Sequence, residues 1–143
     1  MKYIFVFFFF VFVMFVNGQN HVKWAFSFDS ISSNIVVQGT IDHGWHLYSS
    51  STPENAGPVP VNIVLKKDKK YKQIGKSKEI SPYKFIYDTN FGSNVAIIEN
   101  EYIASIPIKV KGNCTVRGEV YYMICDDSMC LPPITVGFNL IIK

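Results

Sequence analysis

The chain has 143 residues, with fourteen basic and eleven acidic side chains and a formal charge of +3. That length fits one domain around one core, and so small a charge gives no electrostatic case for nucleic acid. Large enzymes, multidomain proteins and transporters are excluded.

The first element is apolar. Lys2 is followed by the run Ile4 to Val16 and then by Asn17-Gly18-Gln19-Asn20. One positive charge, a thirteen-residue apolar stretch and a small residue at Gly18 predict a secretory signal peptide over residues 1–18. Thirteen helical residues cover only about 20 Å, short of the roughly 30 Å of a bilayer core. This segment holds seven of the twelve phenylalanines, and the domain expected over residues 19–143 keeps a net charge of +2. No later stretch has eighteen uninterrupted apolar residues, so no transmembrane span is expected there.

The remainder reads as β throughout. Strands are predicted at Trp24–Phe28, Ile35–Ile41, Trp45–Tyr48, Val59–Leu65, Ile80–Tyr87, Val95–Ile98, Tyr102–Val110, Thr115–Cys125 and Ile134–Ile142. Tyr102, Ala104, Ile106, Ile108 and Val110 share one face by period-two alternation, as do Val59, Val61, Ile63 and Leu65. Breakers separate the runs: Asp42-His43-Gly44, Pro53 to Pro60, Asn90 to Asn94, Lys111-Gly112-Asn113 and Pro132-Pro133. Eight or nine short strands in this length predict an all-β, immunoglobulin-like two-sheet sandwich. The Cys…Trp…Cys spacing of antibody domains is absent.

Between two of these strands lies KKDKKYKQIGKSK, Lys66 to Lys78, with seven lysines and one aspartate. Such a segment reads as a solvated hairpin whose lysines prevent edge-to-edge pairing. A contact surface for an acidic partner or an anionic membrane is the alternative.

Three cysteines follow: Cys114, Cys125 and Cys130. Export places them where disulfides persist, and an odd count leaves one unpaired or intermolecular. Cys125 and Cys130 flank a four-residue loop at the end of a predicted strand, stopped by Leu131-Pro132-Pro133. A bridge from Cys114 to either is the competing pairing. Closing so small a loop stabilises by about 2 kcal/mol, against nearer 4 kcal/mol for a bridge across some sixty residues. A short bridge on a strand-end loop is instead accessible to another protein's thiolate. Asp126 and Asp127 each disfavour a thiolate at about 6 Å by roughly 0.7 kcal/mol in water. Thiols there are poor spontaneous nucleophiles, suited to exchange after docking.

The segment CDDSMCLPP, preceded by Tyr121-Tyr122, resembles the active-site signature of the N-terminal periplasmic domain of the thiol:disulfide interchange protein DsbD family. DHGWHLYS (Asp42 to Ser49), GPVPVNI (Gly57 to Ile63) and YDTNFG (Tyr87 to Gly92) resemble further segments of that domain in the same order. The resemblance implies an immunoglobulin-like domain in the periplasm that relays reducing equivalents by thiol–disulfide exchange. Its donors would be thioredoxin-like proteins or domains and a membrane electron-transfer protein, its acceptors oxidised periplasmic thiol proteins. By the same resemblance Cys130 forms the mixed disulfide and Cys125 resolves it. Trp45, His46, Tyr48 and Tyr122 border the site, while Asp88 and Phe91 belong to a cap that shields it. This chain departs from the family in having one carboxylate in Asp88-Thr89-Asn90-Phe91, and the membrane and thioredoxin-like domains of the family are expected to be supplied by other proteins.

No cofactor and no metal is expected. Cys125, Met129, Cys130, Met123 and His46 are ligand types that Cu(I) favours, but a dithiol used for exchange has the same neighbours. Cys114 is expected as a half-buried apolar side chain at a strand start. Ser49, Ser50 and Ser51 lack a nucleophile elbow. The runner-up function is a non-catalytic immunoglobulin-like binding domain whose short disulfide only ties a loop.

Overall fold

The computed structural model describes residues 20–143; the predicted signal peptide lies outside them. Twelve strands run in chain order: β1 (Val22–Asp29), β2 (Asn34–Ile41), β3 (His46–Tyr48), β4 (Asn62–Leu65), β5 (Tyr71–Gln73), β6 (Lys78–Glu79), β7 (Lys84–Asp88), β8 (Ser93–Glu99), β9 (Glu101–Val110), β10 (Cys114–Tyr122), β11 (Ile124–Cys125) and β12 (Ile134–Ile142). The fold is all-β and immunoglobulin-like, with no helix among the described residues.

All the pairings between strands are antiparallel. One sheet has the order β1-β2-β9-β5, with β6 also paired to β9, and faces a second of order β12-β10-β4. Phe26 of β1 stacks on Phe138 of β12 at 4.1 Å, and Trp24 packs against Tyr122 of β10 at 5.2 Å. The alternation expected in β9 holds: Tyr102, Ala104, Ile106 and Ile108 are all buried in the main core. Burial of such side chains against the facing sheet drives the sandwich together, at roughly 25 cal/mol per Å² of apolar surface.

A third sheet, β11-β3-β8-β7, extends from both. β9 follows β8 through the single residue Asn100, whose φ of 65° bends the chain. β10 likewise passes into β11 through Met123 alone. The small sheet divides two apolar clusters. Leu47, Ile98 and Ile124 face the main core, while Tyr48, Ile97, Val95 and Cys125 form a second cluster with Ala56. With both faces covered, β3 and β11 are buried throughout, as is Val95–Ile98 in β8.

Four predicted strands are broken or shortened in the structure. The run predicted as Thr115–Cys125 is broken at Met123, because Cys125 must leave the main core for the second cluster. Val59–Val61 lies outside β4, since prolines at 58 and 60 cannot donate to a ladder; Val61 N bonds Tyr48 O at 3.0 Å instead. Ile80 to Tyr83 lies outside β7, with Pro82 in its midst. Trp45 precedes β3, its N–H bonded to Asp42 O at 3.1 Å in a turn.

Candidate functional site

The site is built at the end of the small sheet, over the second cluster. β11 sets Cys125 beside His46 of β3 in the ladder, and Cys125 is fully buried. The chain then turns through Asp126-Asp127-Ser128-Met129 and returns to Cys130, which is disulfide-bonded to Cys125 across a Cα–Cα distance of 4.1 Å. The turn has its own framework. Asp126 Oδ1 accepts from Ser128 N (2.8 Å), Met129 N (2.7 Å) and Ser128 Oγ (3.0 Å), while Asp126 N donates to Met129 O at 2.9 Å. The backbone N–H bonds from Ser128 and Met129 hold the Asp126 carboxyl below its ordinary pKa. Asp126 therefore shapes the loop besides carrying charge, a role the sequence reading did not assign to it.

Cys130 is partly exposed where Cys125 is not. The structure settles the pairing: Cys114 is free and buried at the start of β10, in the main core. That start lies at the far end of β10 from the disulfide, about 30 Å away at some 3.3 Å per strand residue.

Three buried polar side chains lie under the disulfide. The Tyr48 hydroxyl donates to Asp88 Oδ2 at 2.6 Å and lies 3.9 Å from Cys130 Sγ. His46 Nε2 sits 3.3 Å from the same hydroxyl oxygen and 4.0 Å from Asp88 Oδ2. Because the Tyr48 proton is committed to Asp88, a neutral His46 donates from Nε2 to the tyrosine oxygen. Burial, then the bond to Asp88, raise the Tyr48 pKa far above its ordinary value, so the phenol stays protonated. Tyr48→Phe would leave Asp88 Oδ2 without its donor in a buried place, so stability falls by about 2 kcal/mol, as read from a denaturant midpoint.

His46 is pushed below its ordinary pKa, chiefly by burial, against the opposing attraction of Asp88, Glu99, Asp127 and Asp126. The folded state thus binds a proton at His46 less readily than the unfolded chain does. Stability from this group is complete above about pH 6.5, the unfolded value, and is lost as pH falls from there through the lower folded value. His46→Gln should flatten the fall in urea-midpoint stability across that window; an unchanged slope would remove His46 as its source.

The segment expected to form a cap lies against the cysteine loop. Beyond β7, Gly92 N bonds Asp88 O at 2.7 Å and Asn90 N bonds Asp88 Oδ1 at 2.8 Å, closing a tight turn. Asn90 Nδ2 donates to Asp126 O at 3.1 Å and ties the cap to the cysteine loop. Phe91 packs edge-on against Tyr48 at 6.0 Å and joins the cluster containing Cys125 and Cys130. Its ring lies over Gly57, where a Cβ would come within 2.6 Å of Phe91 Cδ1. Gly57 has a φ of 108°, so glycine is needed there for both space and backbone. Ser93 Oγ donates to Ala56 O at 2.6 Å, fixing that loop to the cap.

The structure thus gathers Cys125, Cys130, His46, Tyr48, Asp88 and Phe91. Trp45 and Tyr122 are placed elsewhere. Trp45 stacks on His21 at 3.7 Å and packs on the main core, and the Tyr122 hydroxyl bonds Asn20 Oδ1 at 3.0 Å. Asn90 and Gly57 were missed as site residues, although both stand in segments that carried the resemblance. Among the described residues no three His, Cys, Asp or Glu side chains gather as metal ligands.

The family model described as "Thiol:disulfide interchange protein DsbD, N-terminal" matches residues 16–141. No curated protein matches the chain. Among solved structures, the reduced DsbD N-terminal domain of Neisseria meningitidis is similar at 17% identity and TM-score 0.60, covering 85% of each chain. The DsbD N-terminal domain complexed with the PilB N-terminal domain, from the same organism, gives 14% identity and TM-score 0.61 over 88% of this chain and 87% of that one. The N-terminal periplasmic domain of ScsB from Proteus mirabilis gives 16% identity and TM-score 0.57, covering 83% of this chain and 44% of that one.

Proposed function

The chain belongs to the family of N-terminal domains of the thiol:disulfide interchange protein DsbD, and from that premise we propose that it relays reducing equivalents through a reversible Cys125–Cys130 disulfide. The observation that carries this reading is the asymmetry of the bridge: Cys125 is fully buried, whereas Cys130 is partly exposed.

In the loading step a thiolate of a thioredoxin-like donor attacks Cys130 Sγ. A donor–Cys130 bond forms, the Cys125–Cys130 bond breaks, and Cys125 leaves as a thiolate that takes a proton. The donor's second thiol displaces Cys130, so the donor ends oxidised by two electrons and the domain reduced. Delivery runs the same steps in reverse order against an acceptor's disulfide: Cys130 attacks, and Cys125 resolves. Exchange of this kind needs an attacked sulfur that can be reached in line and a leaving sulfur that need not be.

The buried Asp88 beneath the pair, with Asp126 and Asp127 in the turn, disfavours free thiolates. The reduced domain then reacts slowly with stray disulfides and waits for a docked partner. A related domain has been solved in complex with the PilB N-terminal domain, which supports a protein partner for this one. The periplasmic setting of the ScsB domain and the apolar run at Ile4 to Val16 support export to that compartment after removal of residues 1–18.

The test is stoichiometric. The oxidised chain is mixed with a reduced thioredoxin-like domain, quenched with acid, and its free thiols are alkylated and counted by mass. Two new thiols on this chain and two lost from the partner are expected, and the transfer should reverse with the partner in excess oxidised form. A chain that stays oxidised against every such donor would be the non-catalytic binding domain instead.

A further inference from the structure

The first part of the lysine-rich segment, Lys66 to Gln73, and the two strand ends beside it form one surface at the pole opposite the disulfide. β4 ends at Leu65, β5 pairs Tyr71 with Val110 at the end of β9, and β10 begins at Cys114 opposite Ile142 of β12. Two adjoining grooves of about 600 and 520 Å³ open there, sharing Asp68 in their walls. Nine of the thirteen basic side chains in residues 20–143 line them, with Asp68 the only acidic one. The rest of those residues hold four lysines against ten carboxylates. The domain is therefore electrically polarised, with its basic pole remote from its redox pole.

Little of this charge is neutralised internally. Lys66 pairs with Glu119 at 2.9 Å, whereas Lys67, Lys69, Lys72, Lys109 and Lys111 are exposed and have no ion pair among the described residues. Protection of a sheet edge does not account for them, because β5 is only three residues long and Lys67 and Lys69 lie in the loop before it.

We propose that this pole is a docking surface for an anionic lipid bilayer, one that holds the domain with its disulfide facing away from the membrane. The chemistry favours lipid over an acidic protein. Eight of the nine cations are lysines, strongly hydrated point charges on flexible stems that suit a diffuse plane of phosphates more than fixed carboxylates. Protein interfaces centre on exposed Trp, Tyr or Arg anchors. Here the groove's aromatic, Tyr71, is buried with its hydroxyl donating to Lys66 O at 2.6 Å. The exposed apolar side chain in these walls is Ile141, at 69%, placed among cations as an interfacial contact would require.

The test is co-sedimentation of the purified chain with phosphatidylcholine vesicles, with and without roughly one-third phosphatidylglycerol, at about 0.15 M salt. The readout is the ratio of the two affinities, to which apolar insertion by residues 4–16 contributes equally. A lysine near an anionic surface is worth roughly fivefold in binding. The variant with Lys67, Lys69, Lys72, Lys109 and Lys111 all changed to Gln should thus lose on the order of 1,000-fold of that preference. Changing Lys23, Lys76, Lys78 and Lys84 to Gln should leave it nearly intact. Raising salt should release the unaltered chain from anionic vesicles, a result that does not depend on how any variant folds. A ratio near one, equal losses in the two variants, or capture by polyglutamate without vesicle binding would each overturn the proposal, the last by assigning the surface to an acidic protein.

Discussion

Cys125→Ser accumulates a covalent complex with a thioredoxin-like partner, whereas Cys130→Ser forms none. The expectation follows from burial. Cys130 is the half of the bridge that solvent reaches, and Cys125 is sealed in the second cluster between β11 and the cap. With Cys125 replaced, Cys130 can still attack or be attacked, but no neighbouring sulfur remains to resolve the mixed disulfide. With Cys130 replaced, the lone thiol at Cys125 has no path to a partner. The yields on a non-reducing gel should differ by at least about tenfold, the margin that 1.4 kcal/mol of selective access gives. Equal trapping by both variants would mean that the fold opens before exchange and that burial does not choose the attacking sulfur. Cys114→Ser should change neither yield, since that thiol sits in the main core at the far end of β10.

The second large effect is on the cap. Phe91→Ala should speed reduction of the disulfide by a small thiol such as glutathione by about tenfold. A fully buried Phe contributes about 1.5–3 kcal/mol, and Phe91, partly buried against the second cluster, contributes the lower part of that range to keeping the cap shut. Gly57→Ala reaches the same end from the other side, because its Cβ would overlap Phe91 Cδ1 at 2.6 Å. The positive φ at Gly57 adds backbone strain of its own. Gly112→Ala isolates that contribution, having a φ of 64° and nothing within 4 Å of the new Cβ, at the lysine pole. The account requires faster reduction in the Phe91 and Gly57 variants and an unchanged rate in the Gly112 variant. If Gly112→Ala accelerated reduction equally, general loosening would explain the effect and the cap would have no protective part.

Much of the site was legible because its residues stand in segments of distinctive chemistry. Cys125 and Cys130 announce a loop by their spacing and by the prolines after them, and Asn90 to Asn94 reads as a break between strands from composition alone. What was not legible is how the small sheet is shared. Period-two alternation marks a strand with one wet face, and β8 has none: Val95 and Ile97 serve one cluster while Ile98 serves the other. The same ambiguity hid the break at Met123. β5 and β6 were invisible for another reason, since their lysines carry no apolar pattern beyond Tyr71. The bond from Asn90 to Asp126 O spans 36 residues, and nothing local in the sequence encodes a contact of that range. Trp45 and Tyr122 illustrate the converse. They neighbour site residues along the chain, yet Tyr122 is buried in the main core at the end of β10 and Trp45 packs against that core from the turn before β3.

The relay rests on a disulfide that is exchangeable and not merely structural, and its reduction potential decides that most directly. The chain carrying Cys114→Ser would be equilibrated in glutathione or dithiothreitol buffers of graded composition and its thiols trapped and counted. A potential between about −180 and −270 mV, the range of exchange-active dithiols, is the predicted result. A value well below about −300 mV would mark a bridge that cellular thiols do not open, and would contradict the relay.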